Sequence, residues 1–252
     1  MQAPRALIAA NWKMNKTIAE SVAYIRKLRE IDPDLDGIDA VIFPPFTAMR
    51  FVSDALEGTK FAVGGQAMSE EDAGSFTGEI SALQLQDAGA TWAILGHSER
   101  RGGDGETDES VNRKVHAALH WGIRPIICVG ESEADHIAGV THAHVVAQTR
   151  AAFEDVAPEG VAQCLVAYEP IWAIGSGSSD TPESANAVLR VIRSSVPGLE
   201  RAQLLYGGSV KANNIGHFLD QPNIDGALVG NASLDPRSFA DVLSAASHNH
   251  VQ

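Results

Sequence analysis

Short apolar runs alternate with longer amphipathic stretches from one end of the chain to the other. Eight of these runs read as strands: Ala6–Asn11, Ala40–Phe43, Phe61–Gln66, Trp92–Gly96, Pro125–Gly130, Gln163–Glu169, Gln203–Gly207 and Gly226–Gly230. Most are apolar at nearly every position, as expected of parallel strands buried on both faces. The stretches between them follow helical spacing. Ile18, Val22, Ile25 and Leu28 line one side of a helix predicted over Thr17–Ile31. Thr107, with Ser110 three residues on, opens another that carries Val111, Val115 and Leu119. Thr181-Pro182-Glu183 combines a capping residue, a first-turn proline and an acidic first turn, and Asp235-Pro236 repeats the signal for the last helix.

Eight strand–helix units with no linker rich in Pro, Gly or Ser predict one domain over residues 1–252. The predicted fold is α/β, a closed (β/α)8 barrel of eight parallel strands. The competing architecture is a doubly wound open sheet, which usually places a glycine-rich turn straight after its first strand. Here that strand runs into Asn11-Trp12-Lys13-Met14-Asn15.

Composition narrows the classes. With 44% hydrophobic and 20% charged residues, the chain has ordinary globular character, and no apolar run approaches the length of a membrane span. The start, Met1 to Arg5, lacks a basic segment backed by an apolar one, so no secretory signal is expected. Cys128 and Cys164 both fall inside apolar runs and read as buried thiols, which fits a cytoplasmic enzyme. A net charge of −13 argues against nucleic acid as a partner. It also means that an anionic substrate would have to be held by local donors: backbone N–H groups, helix N-termini or a well-placed lysine.

In a barrel, chemistry gathers at the C-terminal ends of the strands. Those ends carry Asn11 and Lys13; His97-Ser98-Glu99-Arg100; Tyr168-Glu169-Pro170; Gly207-Gly208-Ser209; and Gly230-Asn231-Ala232. Each has a bland reading alongside the functional one. A lysine after a strand is commonly solvated, a strand-end glutamate commonly pairs with arginine, and a histidine is commonly a satisfied core residue. Glu169 ends an apolar strand, where burial would raise its carboxyl toward the range of a general base. His97 precedes a predicted helical turn, whose N-terminus would disfavour imidazolium and keep the ring a neutral donor. Gly207-Gly208-Ser209, with a helix expected near Lys211, and Gly230-Asn231 read as paired phosphate cradles. The long segment 170–180, proline-led and ending in small residues, suits a lid; as a plain surface loop it could leave Trp172 in the core. His136, His142 and His144 cluster in sequence, but their spacing matches no known metal motif, and no metal is expected.

Taken together, the segments Asn11-Trp12-Lys13-Met14-Asn15, Phe76-Thr77-Gly78-Glu79, Gly96-His97-Ser98-Glu99-Arg100-Arg101, Cys128-Val129-Gly130-Glu131, Ala167 to Gly175, Tyr206-Gly207-Gly208-Ser209 and Leu228-Val229-Gly230 resemble the triosephosphate isomerase family along essentially the whole chain. The resemblance implies a cofactor-free isomerase that interconverts dihydroxyacetone phosphate and D-glyceraldehyde 3-phosphate in glycolysis and gluconeogenesis. It implies Glu169 as the base, with His97, Lys13 and Asn11 stabilising an enediolate. Gly175, Ser209, Gly230 and Asn231 would bind phosphate together with Asn11 and Lys13, and Glu99 and Cys128 would support them. It further implies a homodimer in which Thr77 contacts the partner. Four places depart from the family pattern: Asn231 replaces a second glycine, Ser178-Ser179-Asp180 forms an unusual hinge, Gly102-Gly103-Asp104 replaces an aromatic pair, and Ala67 replaces an asparagine. The alternatives are an isomerase of a phosphorylated tetrulose and a non-catalytic barrel that binds phosphorylated metabolites or a protein.

Overall fold

The computed structural model describes residues 5–173 and 180–250. Its strands are β1 (Ala6–Asn11), β2 (Ile38–Phe43), β3 (Phe61–Gly65), β4 (Trp92–Leu95), β5 (Arg124–Val129), β6 (Leu165–Tyr168), β7 (Gln203–Tyr206) and β8 (Gly226–Val229). They close into a parallel barrel in sequence order, with β1 paired to both β2 and β8. The helices around it are α1 (Ile18–Ile31), α2 (Met49–Ala55), α3 (Ala82–Asp87), α4 (Ser98–Gly103), α5 (Asp108–Trp121), α6 (Glu133–Ile137), α7 (Thr141–Ala152), α8 (Pro158–Val161), α9 (Pro182–Arg193), α10 (Ile215–Leu219) and α11 (Pro236–His250). Among the described residues, no helix is long and apolar enough to cross a membrane.

The barrel divides its apolar residues by strand alternation. Leu7, Ala9, Val41, Ile94, Ile126, Cys128, Leu165, Ala167, Leu205 and Leu228 belong to one buried cluster, the filling of the barrel. Their neighbours Ala6, Ile8, Ala10, Ile42, Ile127, Val166 and Leu204 belong to a larger one shared with the helices. Both faces are therefore dry, which accounts for the unbroken apolar runs.

The capping signals act where the sequence puts them. Thr17 accepts from Glu20 N and Thr107 from Ser110 N, each in a reciprocal capping box, and Thr181 accepts from Ser184 N ahead of Pro182. Asp235 Oδ1 accepts from Arg237 N and Ser238 N at the start of α11. One expectation shifts. On α1 the buried residues are Ser21, Tyr24, Ile25 and Leu28, while Ile18 is exposed. The cause is Tyr24, whose ring packs edge-on to Trp12 at 4.7 Å and whose hydroxyl donates to Ser233 O. A tyrosine and a serine thus take positions that an apolar count assigns elsewhere.

Candidate active site

The strand alternation that fills the barrel also aims its ends. Continuing inward from Leu7 and Ala9 gives Asn11; from Leu165 and Ala167, Glu169; from Leu205, Gly207; from Leu228, Gly230. An open pocket of about 780 Å³ lies at this end, lined by Asn11, Lys13, His97, Glu99 and Glu169 on one side and by the turns after β7 and β8 on the other.

His97 enters differently. Simple alternation after Ile94 would point Gly96 inward and His97 toward the helices. Gly96 instead adopts φ +70, a conformation that costs glycine little. Its N–H is held by Glu106 Oε2 at 3.0 Å, and its carbonyl accepts from Arg101 Nε at 2.8 Å. The chain then turns into α4 with His97 as the N-cap residue, its Nδ1 accepting from Glu99 N at 3.2 Å. That leaves Nε2 facing Glu169 Oε1 at 3.0 Å.

Glu169 is 2% exposed. Besides His97, it accepts from Ser98 N at 2.8 Å through Oε2. Burial alone would raise its carboxyl, as expected from the sequence. The charge and hydrogen bond of His97, with the Ser98 N–H, outweigh burial and hold it below the usual carboxylate range. For His97, burial works against the imidazolium, but the facing Glu169 carboxylate wins and raises the ring above its ordinary value. Against the expected influence of the helix N-terminus, the Glu169 carboxylate favours the imidazolium while it rests on the ring. The Glu99 N–H on Nδ1 still favours the tautomer that donates from Nε2.

Lys13 completes this side. Its backbone sits at φ 52, braced by Asn11 Oδ1, which accepts from Lys13 N at 3.0 Å, and by Gln66 Nε2, which donates to Lys13 O at 2.9 Å. Its ammonium meets Glu99 Oε1 at 2.6 Å. The turn after β8 lies against the same stem, since a Cβ at Gly230 would stand 3.7 Å from Lys13 Cε. Asn231, in place of a second glycine, opens a short 3-10 turn to Ser233 and is not among the residues with positive φ. The helix expected near Lys211 begins at Ile215. Between them, Asn214 caps the turn by accepting from Lys211 N and donating to Ser209 O.

Sequence reasoning missed several supports. Gly130 and Gly207 form the walls around Glu169: a Cβ at Gly130 would fall 1.8 Å from Glu169 O, and one at Gly207 would fall 2.9 Å from Glu169 Cγ. Strand alternation would have flagged both, as it flagged Glu169. Gln66 carried no such signal. Cys128 is fully buried, and burial together with the Glu169 charge pushes its thiol well up. Glu131, also fully buried, accepts from Tyr168 OH at 3.1 Å and Trp172 Nε1 at 2.8 Å, which ties the start of the 170–180 connection to β5 and β6. At its far end, Asp180 N donates to Tyr206 OH, and burial raises the Asp180 carboxyl. Gly175 and the hinge residues Ser178 and Ser179 lie outside the described residues. Thr77 sits in an exposed stretch, 71–79. Ala67 is buried, while Gly102, Gly103 and Asp104 at the end of α4 are exposed. His136 stacks on Trp172 and faces Glu131, while His144 faces Asp135, so these histidines do not converge. Among the described residues, no group of His, Cys, Asp and Glu could hold a metal ion.

A buried carboxylate on an imidazole, an ammonium beside them and two backbone turns opposite can move a proton next to a carbonyl while gripping an anion. These features define a barrel of the proton-transfer class. A family model described as triosephosphate isomerase matches residues 6–246. A protein named triosephosphate isomerase from Symbiobacterium thermophilum is 44% identical over 247 residues, 96% of each chain. One of the same name from Carboxydothermus hydrogenoformans is 44% identical over 245 residues, 95% of this chain and 98% of its own. A third, from Caldanaerobacter subterraneus, is 42% identical over 246 residues, 95% of this chain and 99% of its own. The chain belongs to the triosephosphate isomerase family.

Proposed function

We propose that the chain interconverts dihydroxyacetone phosphate and D-glyceraldehyde 3-phosphate through an enediolate, as a cytoplasmic enzyme of glycolysis and gluconeogenesis. The observation that carries this reading is the Glu169–His97 pair, 3.0 Å apart, facing the same pocket as Lys13 and the turns at Ser209 and Gly230. Glu169 leaves Ser98 and His97 to take a proton from the substrate carbon beside the carbonyl, and returns it to the neighbouring carbon. Its departure removes the charge that favours imidazolium, so His97 acts as a neutral donor to the developing enediolate oxygens. Lys13, released from Glu99 toward the substrate, supplies positive charge, with Asn11 assisting. Backbone N–H groups of Gly175, Ser209, Gly230 and Asn231 hold the phosphate. Glu99 and Cys128 support the site, the first through Lys13 and the second by packing beside Glu169.

Glu169→Asp tests the role of the base. Shortening the side chain by one methylene withdraws the carboxylate by more than an ångström, which costs on the order of a hundredfold or more in kcat with little change in KM. Turnover near that of the parent enzyme would refute the assignment.

The same reading includes a homodimer. The connections after β1, β2 and β3 expose Met14, Phe46 and Phe76, and Leu83 lies exposed nearby in sequence on α3. Exposed apolar side chains on successive connections suit burial by a second copy, with Thr77 reaching the partner. Light scattering should give twice the 26.7 kDa chain mass. A monomer at micromolar concentration would contradict this part.

A further inference from the structure

The pocket poses an electrostatic problem that the residues assigned so far do not solve. The chain carries a net charge of −13, and a phosphate ester approaches as a dianion. The charged side chains lining the pocket are Lys13, Glu99, Glu169 and Lys211. Lys13 is neutralised by Glu99 at 2.6 Å. Glu169 remains ionised against His97 and Ser98. Lys211 is exposed and, among the described residues, makes no ion pair or side-chain hydrogen bond.

Its backbone, by contrast, is fixed. Lys211 N donates to Asn214 Oδ1 at 2.8 Å, and Lys211 O accepts from Asn214 N and Ile215 N. Asn214 Nδ2 closes the turn on Ser209 O at 3.0 Å. Val210, 4% exposed, anchors the turn in the core. An ammonium without a partner among the described residues is thus mounted on a rigid turn, two residues beyond Ser209.

We propose that Lys211 is a specificity-determining residue that recruits the phosphate dianion to the turns at Ser209 and Gly230 and offsets the long-range repulsion of the acidic chain. The inference rests on the proposed isomerase reaction for its kinetics, but not for its binding consequence. Lys211 lines the pocket on the side of Ser209 and Gly230 and takes no part in moving protons. Its effect belongs in kcat/KM rather than in kcat, and must fade with salt.

The test compares the parent enzyme with Lys211→Met and Lys211→Glu across ionic strengths. At about 10 mM, where screening extends to roughly 30 Å, kcat/KM for dihydroxyacetone phosphate should fall about threefold to tenfold in Lys211→Met. In Lys211→Glu it should fall by roughly the square of that factor. At about 1 M salt, where screening acts within roughly 3 Å, all three proteins should converge to within about twofold. The kcat values should agree within about twofold throughout, and unphosphorylated D-glyceraldehyde, which carries no charge, should be turned over equally by all three. Inorganic phosphate binding, followed by calorimetry, should show the same salt-dependent ranking. A loss independent of salt, or no loss at low salt, overturns the proposal. If the parent enzyme does not isomerise the triose phosphate while phosphate binding still follows Lys211, the proposed reaction fails and the recruiting role stands. If phosphate binding is indifferent to Lys211, the recruiting role fails whatever the activity.

Discussion

Gly207 offers a way to displace the base without touching its charge. A Cβ added there would sit 2.9 Å from Glu169 Cγ and 3.1 Å from Tyr168 O, whereas ordinary contact begins at 3.4 Å. In Gly207→Ala, the Glu169 side chain must give way by about 0.5 Å, since backbone Tyr168 O cannot. A displacement of about 1 Å at a catalytic group costs on the order of a hundredfold, so half that shift predicts about a tenfold fall in kcat. Overpacking of this size costs about 1–3 kcal/mol and lowers Tm by several degrees. The assay pairs steady-state kinetics with inorganic phosphate inhibition. KM and the phosphate inhibition constant should stay within about threefold of the parent values, because the phosphate end keeps its backbone. Gly130→Ala is the severe counterpart. There the added carbon meets Glu169 O at 1.8 Å, no side chain can yield, and soluble folded protein should be scarce. If Gly207→Ala keeps parental kcat while Tm drops, the wall does not position the base and the reasoning fails.

Two further outcomes follow from the same geometry. His97→Ala removes the main influence that holds the Glu169 carboxyl down, leaving burial opposed by the Ser98 backbone N–H and hydroxyl. The base works ionised, so activity is lost as pH falls through its pKa; raising that pKa moves the acid limb of the kcat/KM profile to higher pH, and an unmoved limb would contradict the assigned coupling. At the opposite end of the barrel, Arg193 donates to Asp225 Oδ2 at 2.6 Å, Asn223 Oδ1 at 3.2 Å and Ala202 O at 3.0 Å, while Asp225 also accepts from Leu204 N. Arg193→Met should cost about 2–3 kcal/mol after allowance for partial exposure, and kcat at 25 °C should be unchanged; thermal unfolding and the standard assay check both.

The barrel was legible because its strands are dry on both faces and its helices begin with strong caps. The predicted and observed strands differ by one or two residues at most ends, the expected fraying of a boundary. The site was legible as far as strand alternation reaches: Asn11, Glu169 and Gly230 lie on inward positions of apolar runs. His97 was legible through its motif, but its aim depends on Gly96 and on Glu106, ten residues further along. The protonation of the pair was not legible. The N–H that Glu169 Oε2 accepts comes from Ser98, 71 residues away, and only the folded barrel brings the two together. Composition likewise hid the contrast between Lys13, paired with Glu99, and Lys211, which has no side-chain partner among the described residues.

The central claim is that Glu169 carries a substrate proton between neighbouring carbons. Isomerisation of dihydroxyacetone phosphate in deuterium oxide, followed by proton NMR, tests it most directly. A base that exchanges its proton with solvent predicts D-glyceraldehyde 3-phosphate bearing deuterium at C2, with both conversion and labelling lost in Glu169→Gln. Absence of conversion in the parent enzyme, or conversion and labelling undiminished in Glu169→Gln, would contradict it.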